Sequence, residues 1–110
     1  MAGPSFAQDA ILAIPEIEIT PQAGSLIITG RVKGIAEGTV TATLSIAKSD
    51  KNGNANTQQS TQVTVMAGSQ NVIASTNLSV HPEASVVVVL KIMDGDTLIS
   101  TTQTSLGGAN

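Results

Sequence analysis

The sequence predicts an all-β fold, a seven-stranded antiparallel immunoglobulin-like β-sandwich with no disulfide, and three observations carry that prediction. Seven segments of β-branched or alternating apolar residues follow one another, separated by turn residues. No segment repeats its apolar residues at the spacing of a convincing helix. The apolar 41% of the 110 residues includes a single aromatic, Phe6, so the core is built from Val, Ile, Leu and Ala. The β-branched members of that set are stiff at χ1 and pack well on a pleated surface.

The first strand is expected over residues 15–20, where Ile17 and Ile19 share one face and Glu16 and Glu18 the other. Pro21 and Gly24 then mark a turn, Pro by presetting φ and Gly by accepting positive φ. A second strand over 25–33 turns Leu26, Ile28 and Val32 inward and Ile27, Thr29, Arg31 and Lys33 outward. Residues 34–38 connect it to a third strand over 39–48, which has the cleanest alternation in the chain. There Val40, Ala42, Leu44 and Ile46 oppose Thr39, Thr41, Thr43 and Ser45, as in a strand with one dry and one wet face.

The polar run 49–56 lacks apolar periodicity and is expected to be a loop. A fourth strand follows over 59–67, with Val63 and Val65 inward. A fifth over 71–80 points Val72, Ala74, Leu78 and Val80 one way and Ile73, Ser75, Asn77 and Ser79 the other. His81 and Pro82 break the chain, because Pro cannot donate to a ladder and restricts its predecessor.

Residues 84–100 form the expected central hairpin. The valines at 86–89 lead through Leu90, Lys91 and Ile92 to Asp94-Gly95-Asp96, and the returning strand starts at Thr97 and ends near Thr104. Val86, Val88, Leu90 and Ile92 belong inside, and Val87, Val89 and Met93 outside around Lys91. A two-residue turn places Ile99 inside and Leu98 outside, whereas a three-residue turn reverses them. In the immunoglobulin-like arrangement the first, second, fifth and fourth strands form one sheet and the third, sixth and seventh the other. Other Greek-key or jelly-roll orders stay open.

The sandwich domain is expected over 14–106, behind a flexible leader at 1–13 and ahead of a disordered tail at 107–110. Ser5-Phe6-Ala7 has the small-x-small pattern that precedes signal cleavage. Two readings follow, a secreted protein whose mature chain begins near Gln8 and a leader without that meaning.

Composition excludes several classes. A net charge of −3 with five Lys and Arg gives no basic patch for nucleic acid or an anionic membrane. No apolar run approaches the roughly 18 residues of a membrane span, so no membrane insertion is expected. Cysteine is absent, which removes disulfides, thiolate metal sites and thiol redox chemistry.

No catalytic, metal or cofactor site is expected either, and the protein is not expected to be an enzyme. His81, the single histidine, sits before Pro82 without a nucleophile elbow and reads as a turn residue. Glu16 and Glu18 share the outer face of an edge strand, where charge blocks unwanted pairing. The segment from Asp50 to Asn54 starts like a calcium loop, but Ala55 stands where the sharp turn needs Gly and Thr61 where a bidentate Glu closes the shell. Asp94 and Asp96 flank Gly95 as hairpin-turn residues, and Asn77-Leu78-Ser79 is a sequon lying within a strand. What remains is the outward stripe of Val87, Val89 and Met93, which is either a binding surface or a patch covered by a loop or a second copy.

The segment 47–60, with Lys48-Ser49, Gly53 and Asn56-Thr-Gln-Gln-Ser60, followed by Ala67-Gly68 and then 72–78, resembles the CsgH-type curli assembly proteins. The likeness spans residues 17–106. Many members carry cysteines that this chain lacks, so no disulfide or redox feature carries over. The resemblance implies a small periplasmic sandwich, secreted through a cleaved signal peptide, that keeps curli amyloid subunits from polymerising. It implies a curli subunit as the protein client, no cofactor, and action as a monomer. Candidate client-binding residues are Arg31 and Lys33 on the second strand, Val87, Val89 and Lys91 on the sixth, and the 48–54 segment with Lys48 and Lys51. The rival reading is a structural or adhesive module of a bacterial surface protein; its sugar-binding version is weak without aromatics for stacking.

Overall fold

Two-residue turns close the chain into hairpins, and those hairpins fix the sheets. The computed structural model describes residues 11–51, 53–80 and 83–107. Within them the strands are β1 (Ala13–Gln22), β2 (Ser25–Gly34), β3 (Gly38–Asp50), β4 (Gly53–Val65), β5 (Gln70–Ser79), β6 (Ser85–Asp94) and β7 (Thr97–Gly107). Pairing of Gln22 with Ser25, Asp50 with Gly53 and Asp94 with Thr97 leaves two residues in each hairpin turn. Gly95 takes φ of 60°, the backbone state that makes Gly the fitting residue in the last of these turns.

The sheets have the orders β1-β2-β5 and β4-β3-β6-β7, and every pairing is antiparallel. This is the expected immunoglobulin-like sandwich, with one correction: the fourth strand lies beside β3 rather than beside β5. The reason is the β3–β4 hairpin. Both strands are 13 residues long and stay in register from Gly38 opposite Val65 to Asp50 opposite Gly53. The expected loop over 49–56 is therefore mostly strand. Residues 53–62 are exposed on both faces of the sheet, so an apolar alternation was never required of them.

Between the sheets lies a core that is wholly aliphatic among the described residues. Ile28 and Val32 of β2 meet Val40, Ala42, Leu44 and Ile46 of β3 and Val86, Val88, Leu90 and Ile92 of β6, all buried. Each Val, Leu or Ile among them contributes about 1.5–3 kcal/mol by leaving water. The inward sets expected for the second, third and sixth strands are thus the observed ones, and β6 is held between β3 and β7. Val63 and Val65 close the core where β4 returns to it.

The fifth strand keeps its expected phase at Ala74, Leu78 and Val80 and departs from it at Val72 and Ile73. A β-bulge sets Gly30 opposite Ala74 but Arg31 opposite Val72, making Ile73 the extra residue. Val72 is consequently 59% exposed, while Ile73 packs against the core beside Ala74. An analogous shift sets Ile92 opposite Ser100 and Met93 opposite Leu98, with Ile99 as the extra residue. Ile99 lies inside and Leu98 outside, the arrangement of the two-residue turn. Beyond it the even-numbered residues Ser100, Thr102, Thr104 and Leu106 face inward, and Leu106 packs on the core opposite Val86.

The connection from β2 to β3 is pinned at both sides. Ile35 and Ala36 donate backbone N–H groups to the Leu12 carbonyl at 2.8 and 3.2 Å. Gly34 exchanges bonds with the β4–β5 turn, donating to Ser69 O at 2.8 Å and accepting from Gly68 N at 3.0 Å. A Cβ at Gly34 would overlap the Met66 carbonyl oxygen, so only Gly allows this approach. Of the leader expected at 1–13, residues 1–10 lie outside the described residues and Ala13 belongs to β1; of the tail expected at 107–110, Gly107 ends β7 and 108–110 lie outside, as do His81 and Pro82 of the expected turn.

Candidate functional site

Residues directly opposite one another in antiparallel strands share a face, so the registers lay out the outer surface of the four-stranded sheet as rows. One row runs Gln58, Ser45, Val89 and Gln103 across β4, β3, β6 and β7. The row below it runs Asn56, Ala47, Val87 and Ser105, and the row above Ser60, Thr43, Lys91 and Thr101. Hydroxyls and amides therefore surround two valines and one cation. Thr43 Oγ1 and Ser60 Oγ lie 2.9 Å apart, which ties β3 to β4 on this surface.

The small side chains of Ser45 and Ala47 leave a depression between taller neighbours. Asn56 and Gln58 line one side and Val87 and Val89 the other, enclosing about 430 Å³ of open groove. Val87 and Val89 are half-buried, Lys91 is exposed, and Lys91 forms no ion pair among the described residues. An open groove with apolar walls, amide edges and a lone cation can hold an extended peptide by side-chain packing and hydrogen bonds. Its lining includes no His, Cys, Asp or Glu.

The seven candidate residues do not form one site. Val87, Val89 and Lys91 lie together on the outer face just described. Arg31 and Lys33 lie on the outer face of the opposite sheet and are engaged there: Arg31 Nη2 is 2.6 Å from Glu18 Oε1, and Lys33 Nζ is 3.4 Å from Glu16 Oε2. Arg31 Nη1 adds a longer contact to Glu16 at 3.9 Å. Lys48 shares the inward phase of Val86 and donates from Nζ to Ser79 O at 3.0 Å, bridging the sheets at the hairpin end. Lys51, in the β3–β4 turn, pairs with Glu83 at 3.5 Å.

Asn56 and Gln58 are not among the site residues expected from the sequence, which reads 49–56 as loop and starts the fourth strand at 59. Asn54, Asn56, Gln58, Ser60 and Gln62 share the outer face, but Thr57, Gln59 and Thr61 between them are polar as well, so no contrast in the sequence marks that face. The calcium-loop segment is now part of this hairpin, with Ser49 Oγ donating to Asn54 Oδ1 at 2.8 Å. Among the described residues no three His, Cys, Asp or Glu side chains gather at one point.

A family model described as thin aggregative fimbriae synthesis protein matches residues 13–104. No curated protein matches the chain. Among solved structures, CsgH of R. palustris is similar with a TM-score of 0.64 at 18% identity, covering 87% of this chain and 92% of that one. The E. coli curli protein CsgC is similar with a TM-score of 0.73 at 18% identity, covering 83% of this chain and 96% of that one. A putative β-galactosidase from Bacteroides fragilis is similar at 0.54 and 19% identity, covering 84% of this chain but 16% of that one. At these identities the structural likenesses speak for the fold.

Proposed function

The chain belongs to the thin aggregative fimbriae synthesis family, the curli assembly proteins, and on that premise we propose that it is a periplasmic, chaperone-like inhibitor of curli subunit polymerisation. It binds the unfolded or nascent subunit transiently and lowers the rate at which subunits nucleate a fibre. Amyloid grows by adding strands to exposed strand edges, so a partner that occupies an extended segment delays the first productive pairing.

The observation that supports this reading is the outer face of the four-stranded sheet. Val87 and Val89 stand in a groove rimmed by Asn56, Gln58 and Ser45, with Lys91 in the adjoining row. Such a surface fits a polar, extended chain through many weak contacts. A cation at its margin speeds encounter with a client carrying negative charge more than it strengthens the complex. Val87, Val89 and Lys91 form the proposed contact; Lys48, turned inward onto Ser79 O, and Lys51, paired with Glu83, stand apart from it at the end of the adjacent hairpin. Arg31 and Lys33, committed to Glu16 and Glu18, serve the opposite sheet.

The test is fibre formation by a purified curli subunit, followed by thioflavin fluorescence with increasing amounts of this protein. A lag that lengthens at substoichiometric protein is the expected result. An unchanged lag at equimolar protein would overturn the proposal.

A further inference from the structure

A sandwich of two open sheets has four edge strands, here β1 and β5 on one sheet and β4 and β7 on the other. Edges are ordinarily guarded by charge, proline or a bulge, because unpaired backbone N–H and C=O groups template the addition of another strand. β1 carries Pro15, Pro21, Glu16 and Glu18. β5 and β7 are each bulged, at Ile73 and Ile99.

β4 has none of these guards. The chain has no Asp, Glu, Lys or Arg anywhere from 52 to 82, and β4 contains no proline. Its register against β3 runs unbroken from end to end. Residues 53–62 are all exposed; Gln59 Nε2 donates to Thr76 Oγ1 of β5 at 3.3 Å across the sandwich, and no strand among the described residues pairs with the outer edge. An edge this long, regular and neutral is what other proteins avoid.

We propose that the free edge of β4 is a docking site for an extended, uncharged polypeptide segment bearing Asn or Gln at alternate positions. This rests on the reading above, in which the protein acts on chains that assemble as β-strands, and it names the mode of contact. An added strand satisfies the outward backbone groups of β4 and extends the sheet to five strands. The amide row Asn54, Asn56, Gln58 and Gln62 then faces a matching row about 4.8 Å away, the spacing at which Asn and Gln side chains form ladders. The absence of charge selects the segment, because a charged residue set opposite this row finds no counter-ion.

The probe is a capped peptide reproducing residues 53–65 of this chain, itself an uncharged segment with alternate amides. It is titrated into the full, isotope-labelled protein and followed by amide chemical shifts and hydrogen exchange. Expected are shifts and slowed exchange confined to residues 54–62, and loss of both with a peptide N-methylated at alternate backbone positions. Thr57→Lys, and Ala55→Lys as a second variant, place an inward charge on the edge and weaken docking about tenfold. Four results would overturn the proposal: no response at β4 up to millimolar peptide, equal binding of the methylated peptide, equal binding by both Lys variants, or perturbation of β4 by protein concentration alone, which assigns the edge to a second copy. Fibre delay is measured separately on the same proteins. Its absence in the unaltered protein removes the functional reading without touching peptide docking, and unchanged docking by the variants removes the edge without touching fibre delay.

Discussion

Ile73 of β5 and Ile99 of β7 occupy matching positions in the two sheets: each is the extra residue of a β-bulge on an edge strand, and each packs against the core. Each bulge sets two consecutive residues inward, Ile73 beside Ala74 and Ile99 beside Ser100. The device repairs the phase of a strand whose apolar residues fall on consecutive positions.

The bulge predicts an order of mutational cost opposite to simple alternation. Ile73→Ala should lower stability by about 2 kcal/mol, the low end for a buried Ile, whereas Val72→Ala should stay within about 0.5 kcal/mol. Urea denaturation of the two variants, followed by far-ultraviolet circular dichroism, measures both. The reverse order would mean that β5 pairs without the bulge.

The contact between Gly34 and the β4–β5 turn leaves no room for a side chain. Gly34→Ala pushes a methyl group against the Met66 carbonyl and disturbs the bonds to Ser69 and Gly68. A loss of about 2 kcal/mol or more is expected from such overpacking against backbone. A melting temperature equal to that of the unaltered protein would contradict the geometry.

The proposed client surface makes a functional prediction that is separable from folding. Val89→Glu places a charge at the centre of the groove, and Lys91→Glu inverts its one cation. Both positions lie outside the core, so stability should change by less than about 1 kcal/mol. The protein concentration needed to delay subunit polymerisation should nevertheless rise about tenfold, the effect of losing one central contact. Thioflavin lag times across a dilution series read this directly.

Arg31 provides the contrasting case. Its bonds to Glu18 and Glu16 bind the β1 edge to β2 on the far sheet, in a partly exposed network. Arg31→Ala should cost about 1 kcal/mol or less, with a smaller penalty at high salt. Fibre delay should be unaffected, and a marked loss of delay would move the client to the β1-β2-β5 sheet.

Much of this architecture is legible in the sequence because alternation encodes it. Val40 through Ile46 alternate apolar with hydroxyl residues, whereas the apolar run Val86 through Leu90 alternates in burial alone and takes its phase from Lys91 in the same β-branched strand; these β3 and β6 segments form the buried centre of the larger sheet. Legibility fails where burial stops imposing a pattern. β4 is exposed on both faces over 53–62, so hydrogen bonding to β3, rather than hydrophobicity, makes it a strand. Val72, Ile73 and Ala74 are ambiguous for a different reason: three consecutive apolar residues cannot all face inward, and the choice depends on a bulge set by β2. The candidate surface shows the same division. Val87, Val89 and Lys91 follow from the phase of β6, whereas the amides across the groove require knowing which sheet β4 joins.

The place of β6 in the order of the chain has a consequence for how the protein comes into being. Its neighbours are β3, formed well before it, and β7, the next and last strand of the sandwich. The β5 segment intervenes between β4 and β6 yet belongs to the other sheet, so closure awaits contacts distant in sequence, a topology that folds slowly. During that interval the run Val86-Val87-Val88-Val89 has a bare flank and the composition of a fibre-forming segment. A chain emerging into its compartment from the N-terminus is thus most vulnerable between the arrival of its sixth strand and its seventh. The two-residue turn at Gly95 and Asp96 sets the length of that interval, since it delivers β7 to β6 by a connection as short as any in the larger sheet.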